Sequence, residues 1–456
     1  MLCCMNRNKG SSKQVTPALE NRTTTRNFDM RNKFFCLVCG GSSCRNENWL
    51  IHPNPALKGL NSSWVTENII ASQRLTTRII KDFNLLEEFQ KYNITNVINL
   101  QLPGEHPFCG DGLKPGEDFS YSQADLPGIK VHNLGWLDMD IPTTSQMITI
   151  VQLISVIISK KEKLIIHCHA GYGRTGTAIA AHLIYSTNMN DIDTIEFVRS
   201  KRKKSIQRRS QCNFLKKFYE YITRIRVLYP INPISIHDFF ANQLALTYGK
   251  EGVKLKGVPK ILIQLYSHIF ELVETQKFTS EQICLAFCDP DNAIFQSKEY
   301  KELIDEKTDC SVDSKVFARK EELNSGIWRL QKELDPRVLA QLALLWIEES
   351  VAEPIFDSNY IEEMIMGIDY KIEETADEID YFDKYQLKII HSLKKLKKIY
   401  QISKEHLTLI GIRHVIALQK SKQKYSHFFE GKKMLNITED ILDPAEVYLL
   451  RKIISN

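Results

Sequence analysis

"LIIHCHAGYGRTGTAIAAHLIY" occupies Leu164–Tyr185. An apolar run leads into His167, Cys168 and His169, two glycines space the next turn, and an alanine-rich apolar stretch follows Arg174 and Thr175. The pattern predicts a buried strand, a tight loop and a helix. Working outward, "NVINL" (Asn96–Leu100), "IKVHNL" (Ile129–Leu134) and "KLIIH" (Lys163–His167) are predicted as strands. "SQMITIVQLISVII" and "TAIAAHLIY" have helical periodicity. Alternating strands and helices imply an α/β fold with a central, mainly parallel sheet flanked by helices.

The chain has 456 residues, 43% hydrophobic and 25% charged, a composition with material for a sizeable core and for more than one domain. A net charge of +5 does not suggest a nucleic-acid binder. The opening "MLCCMNRNKG" lacks the apolar core and cleavage site of a signal peptide. No apolar stretch is long enough for an integral membrane segment. A cytoplasmic protein is expected, with its 11 cysteines serving as thiols, metal ligands or catalysts rather than as a disulfide framework. Cys3 and Cys4 read as thiols of a loose terminus rather than as acylation sites.

Three regions are expected. Residues 1–47 are polar and partly disordered, with a cysteine cluster. "CLVCGGSSC" supplies Cys36, Cys39 and Cys44, with His52 nearby. A zinc site favours two close ligand pairs, the second pair is imperfect here, and no metal is assigned. Residues 48–228 form the α/β domain. Residues 229–456, after the proline-marked "YPINPIS", form a mainly helical C-terminal domain. Its signals include Asp335-Pro336 as a helix start and a stripe of Ile379, Phe382, Ile389, Leu393 and Leu396. It carries no catalytic motif and is expected to bind a protein partner.

The chemistry lies in the opening stretch. Cleaving a phosphate ester with a side chain needs a nucleophile, a cradle for the phosphate oxygens and a proton donor. Cysteine attacks as thiolate, and Cys168 sits where loop N–H groups, a helix N-terminus and Arg174 favour negative charge. The backbone of His169, Ala170, Gly171, Tyr172 and Gly173 forms the cradle, the glycines letting N–H groups turn inward. Arg174 grips two phosphate oxygens, which a lysine could not. Thr175 is placed to donate to the cysteine sulfur, and His167 to orient the loop rather than act as base. No cofactor is needed.

The Cys-x5-Arg-[Ser/Thr] pattern in "HCHAGYGRTG", entered from an apolar strand and followed by an apolar helix, resembles the cysteine-based protein tyrosine phosphatase superfamily. "LNSSWVTENIIASQRL", "INLQLPGEHPFCG", "GWLDMD" and "FVRSKRKKSIQRRSQ" extend the resemblance over residues 39–225, toward its Cdc14-like dual-specificity members. It implies the cysteine-phosphatase fold, phosphoprotein substrates, a phosphocysteine intermediate and a place at the centrosome or cilium. In this superfamily the donor Asp follows a Trp by two positions and precedes a Pro by four. Trp136, Asp138 and Pro142 reproduce that spacing, so Asp138 is preferred over Asp140, although Leu137 stands where tyrosine-specific members have proline. Relatives place the hydrolytic water with glutamines beyond the helix. Gln207 and Gln211 are the candidates, and Gln211 fits better by spacing. The run from Arg199 to Arg209 reads equally as a solvated face or as a rim that attracts acidic substrates.

Two alternatives stand beside an active protein phosphatase. A phosphoinositide phosphatase often carries loop lysines, where this chain has His169 and Tyr172. A phosphopeptide-binding pseudophosphatase usually lacks the Cys, Arg or Asp, and all three are present.

Overall fold

The computed structural model describes residues 34, 36–47, 54–304, 311–356, 384–394, 404–424, 426 and 438–454. Cys3, Cys4, His52, Ile379, Phe382 and Leu396 lie outside them. The chain divides into two compact units, Met1–Lys217 and Phe218–Asn456.

The first unit is built on five strands: β1 (Ser62–Trp64), β2 (Ile69–Ser72), β3 (Ile94–Asn99), β4 (Lys130–Asn133) and β5 (Lys163–His167). Their order across the sheet is β1-β2-β5-β3-β4. β1 is antiparallel to β2 and the other pairings are parallel. The sheet is therefore mainly parallel, as expected, but β1 and β2 were not legible. β2 is a four-residue strand with no alternation, and β1 has only three residues. β5 lies at the centre and is buried from Leu164 to His167, as a strand covered on both faces must be.

Ile70, Val97 and Ile165 share a core with Leu75, Ile79, Ile80, Leu85 and Phe89 of α1 (Thr77–Asp82) and α2 (Leu85–Tyr92) and their approach. Side chains alternate along a strand, so Leu164 and Ile166 point to the opposite face. There α3 (Thr144–Ser159) and α4 (Gly173–Ser186) pack. α5 (Asp191–Lys201) packs on α4, and α6 (Arg209–Arg226) follows.

Register positions the site. His167, at the end of β5, pairs with Ser72 at the end of β2 and with Asn99 at the end of β3. Three carboxyl ends finish flush, and the loops that leave them share one edge. In open α/β sheets ligands bind at that edge.

The described part of the second unit is helical, apart from one bridge between Ile234 and Val351. Asp335 accepts from Arg337 N–H as the N-cap of helix Pro336–Leu345, with proline in its first turn. Its core holds Tyr266, Trp346 and Phe356 with aliphatic side chains, among them Ile389 and Leu393. Among the described residues of the chain, no helix is long and apolar enough to cross a membrane.

Candidate active site

Cys168 follows β5 directly and is buried. The loop then turns at Gly171, whose φ of +71° favours glycine. A Cβ there would lie 2.0 Å from the Ser72 carbonyl oxygen, so the close approach of β2 also demands glycine. α4 starts at Gly173 without a side-chain cap from Tyr172. Its first N–H groups face the loop, an arrangement suited to an anion.

His167 is fully buried between two partners. Its Nδ1 lies 3.1 Å from the Cys168 carbonyl oxygen and its Nε2 2.7 Å from the Tyr121 hydroxyl. Burial pushes the imidazole down to about 4, so it is neutral at ordinary pH. Neutral imidazole carries one N–H: Nδ1 donates to the carbonyl and Nε2 accepts from the tyrosine. These two bonds fix the imidazole against the Cys168 carbonyl. Thr175 Oγ1 is buried with no hydrogen-bond partner.

Arg174 is buried and richly held. Its Nη1 donates to the carbonyls of Leu100 at 2.8 Å and Trp136 at 2.7 Å. Glu105 accepts from both terminal nitrogens, at 3.0 and 2.8 Å, in a bidentate pair. The Asp138 carboxylate lies 3.0 Å from Nη2, while the Arg174 Nε is buried without a hydrogen-bond partner. Burial pushes the Glu105 carboxyl above its ordinary value, against the pull of Arg174. For Asp138, burial also pushes upward, but the charge of Arg174 and a hydrogen bond to His106 outweigh it. The carboxyl is held well below the usual range.

Asp138 lines the pocket while Asp140 is exposed, its Oδ1 accepting from Ile141 N–H. Between them Met139 has a φ of +66°, a conformation that costs a non-glycine residue about 1 kcal/mol or more. Gln211 is buried and Gln207 exposed, and both approach the same place. A Cβ on Gly173 would lie 3.0 Å from Gln211 and 3.1 Å from Gln207. The cavity of about 240 Å³ is lined by Cys168, His169, Ala170, Gly173, Arg174, Asp138, Gln207 and Gln211, with Phe34 and Val38 among its other walls. The Tyr172 ring points away from it, its hydroxyl accepting from Asn61 at 3.0 Å.

Several site residues had no sequence signal. Glu105 and His106 lie in "LPGEHPFCG", which reads as a turn. His106 Nε2 is 3.3 Å from Asp138 Oδ2, and its ring stacks on His169 with centroids 3.7 Å apart. Arg202, in the run read as a solvated or substrate-facing rim, is buried instead. It donates to the carbonyls of Gly171 at 2.7 Å, Ala170 at 3.3 Å and Asn61 at 3.1 Å, and lies over the Tyr172 ring. Its charged neighbours Lys201 and Lys203 gave no hint, because the signal of a charge run is the same whether one member turns inward or none does. Arg74 is also buried, joined to Glu47 at 2.8 Å and donating to the His106 carbonyl at 3.0 Å. Part of the segment 1–47 thus belongs to the site.

Residues 72–188 match the family model described as "Polymorphic toxin system, DSP-PTPase phosphatase". Two curated relatives carry the name protein tyrosine phosphatase domain-containing protein 1. The one from Danio rerio is 32% identical over 257 residues, covering 54% of this chain and 36% of that protein. The one from Bos taurus is 33% identical over 255 residues, covering 54% of this chain and 32% of that protein. The chain thus matches about a third of the length of these relatives. The solved structure titled "Crystal structure of Tk-PTP in the active form" aligns with 24% identity and a TM-score of 0.29, over 35% of this chain and 96% of that one. The resemblance read from the loop motif, to phosphatases of the protein tyrosine and dual-specificity type, extends over half of this chain.

Proposed function

We propose that the chain hydrolyses phosphate monoesters on phosphoproteins through a phosphocysteine intermediate. The observation that carries this reading is the convergence of Cys168, Arg174 and Asp138 on one pocket at the carboxyl edge of the central strand. Cys168 Sγ attacks phosphorus, and the S–P bond forms as the P–O bond to the leaving group breaks. The protonated Asp138 gives its proton to the departing oxygen. Asp138, now a carboxylate, takes a proton from water as its oxygen bonds to phosphorus and the S–P bond breaks, which returns the Cys168 thiolate and releases inorganic phosphate; Gln211 with Gln207 places that water beside Gly173.

The contacts of Arg174 fit this cycle. Asp138 holds the place at Arg174 that a phosphate oxygen would take, and the Arg174 Nε–H is left for a second oxygen. A bound dianion displaces the carboxylate. Removed from the guanidinium and facing the phosphate charge, Asp138 loses what kept it ionised and becomes able to donate. Thr175 Oγ1, buried and unpaired, is available to the sulfur when it leaves phosphorus.

Phosphate release from a panel of phosphopeptides and phosphoinositides tests the reading. Turnover of phosphopeptides that disappears in Cys168→Ser, while binding of a phosphate analogue persists, supports it. Turnover of inositol lipids alone would favour a lipid phosphatase, and binding without turnover in the wild type a pseudophosphatase. The helical region 229–456, whose sequence carries no catalytic motif, is assigned to a protein partner. Affinity capture with and without that region checks this. The Cdc14-like resemblance adds a cytoplasmic pool with a place at the centrosome or cilium, checked by imaging a tagged chain.

A further inference from the structure

Beside the phosphate pocket, four thiols converge without forming disulfides: Cys36, Cys39, Cys44 and Cys109. Cys36, Cys44 and Cys109 are buried together with Cys39 packed against them, and the sulfurs of Cys39 and Cys109 lie within 4.8 Å of each other. We propose that these four cysteines bind one zinc ion as thiolates, in a structural site that forms a wall of the catalytic pocket.

The chemistry of the donors supports zinc. Soft thiolates in a closed set select zinc, and a tetrahedral ion with bonds of about 2.3 Å holds its sulfurs about 3.8 Å apart. Cys36 and Cys39 supply the close pair, with Cys44 five residues later, and Cys109 is the fourth ligand that the sequence lacked. Two of these thiols precede a backbone turn reserved for glycine, Gly40 at φ +106° and Gly110 at φ +48°. The two turns are tied together, Gly110 N–H donating to the Gly41 carbonyl at 3.0 Å. Three of the sulfurs also face a nitrogen at 3.6 Å: Cys39 faces Asn46, Cys44 faces His169 and Cys109 faces His106. Where such a nitrogen carries its hydrogen toward sulfur, as the Asn46 amide does, it stabilises and orients a metal-bound thiolate.

Another set was weighed. The donor atoms of Cys39, His106, Cys109 and His169 all lie within 4.8 Å of one another. The two imidazoles, however, are stacked at 3.7 Å with planes 18° apart. One ion cannot lie in both ring planes, as in-plane lone pairs require. The histidines therefore stand outside the sulfurs, and His106 spans the distance between the Cys109 thiol and Asp138.

Binding replaces thiol protons by one Zn²⁺, and the protons pass to solvent. The ion ties residues 36–44, a short polar stretch with little core of its own, to the turn that carries Glu105 and His106. It thereby steadies both the partner of Arg174 and a partner of Asp138.

The test is metal content of the full chain purified in reductant without chelator. One equivalent of zinc is expected, retained in Cys168→Ser and His106→Gln and lost in Cys44→Ser and Cys109→Ser. Cobalt replacement should give an intense thiolate-to-cobalt charge-transfer band. Should the serine variants fail to fold, wild-type alkylation decides: Cys36, Cys39, Cys44 and Cys109 should become reactive only after a chelator is added. Absence of stoichiometric zinc, zinc unaffected by both serine variants, loss of zinc in His106→Gln, or chelator-independent alkylation would each overturn the proposal. None of these readouts depends on phosphatase turnover.

Discussion

Asp138 Oδ1 lies 3.0 Å from Arg174 Nη2, so the proposed proton donor is paired with the proposed phosphate-binding cation. The pairing sets the site at rest. An aspartate held ionised by a guanidinium cannot protonate a leaving group, and an arginine so occupied is not open to phosphate. In the proposed cycle, substrate must break the pair to be processed.

Replacing Asp138 should therefore have two opposite effects. In Asp138→Ala, kcat for phosphopeptides should fall roughly 10²–10⁴-fold, the usual contribution of a general acid. The loss should shrink for an activated aryl phosphate, whose leaving group barely needs a proton. Inorganic phosphate should inhibit this variant more strongly than the wild type, because Arg174 no longer carries a competing carboxylate. Asp140→Ala should show neither effect. Steady-state rates on the two substrates, with phosphate inhibition constants, settle the comparison, and weaker phosphate inhibition in Asp138→Ala would contradict the displacement step.

Arg202 supports the loop from below. Arg202→Ala leaves the buried carbonyls of Gly171 and Ala170 without their donor and opens a space under Tyr172. A loss of roughly 2–4 kcal/mol is expected from the unsatisfied groups. Urea unfolding measures it. A stability within experimental error of wild type would return Arg202 to the solvated face.

Gly171→Ala should be more severe for activity than its single methyl suggests. The left-handed backbone costs about 1–2 kcal/mol for a residue with a Cβ. The contact with the Ser72 carbonyl cannot be relieved by a side-chain rotation, because both atoms belong to the backbone. The loop must shift off β2, carrying the cradle with it. Turnover near the wild-type value would show that the loop tolerates that shift.

Acid should destabilise the first unit through its buried histidines. Burial pushes His167 and His182 down to about 4 each, from an ordinary value near 6.5. Between those values the unfolded chain binds more protons than the folded one, so stability falls as pH falls from 6.5 toward 4. Each group adds a slope of up to about 1.4 kcal/mol per pH unit. Urea midpoints at pH 7 and pH 5 should differ accordingly, and His182→Gln should flatten the dependence. An unchanged slope in that variant would remove His182 from the account.

The local stretch Leu164–Tyr185 by itself determined the strand, the tight loop, the helix and the places of Cys168 and Arg174. Every one of these features depends on residues adjacent in sequence: burial of β5, glycine at a positive φ, and an arginine at a helix start. The Trp136–Asp138–Pro142 spacing gave Asp138 as the candidate acid through resemblance. Only tertiary structure decided what Arg174 touches. Glu105 is 69 residues away, in a turn whose sequence shows nothing but loop character, and Cys109 joins the cluster of Cys36, Cys39 and Cys44 from that same turn. Flush pairing of β2, β3 and β5 brings these loops to one edge, and strand register is a property of the whole sheet. The same holds for Arg202. A buried cation needs acceptors, and those are backbone carbonyls that any residue could carry, so no side-chain pattern announces them.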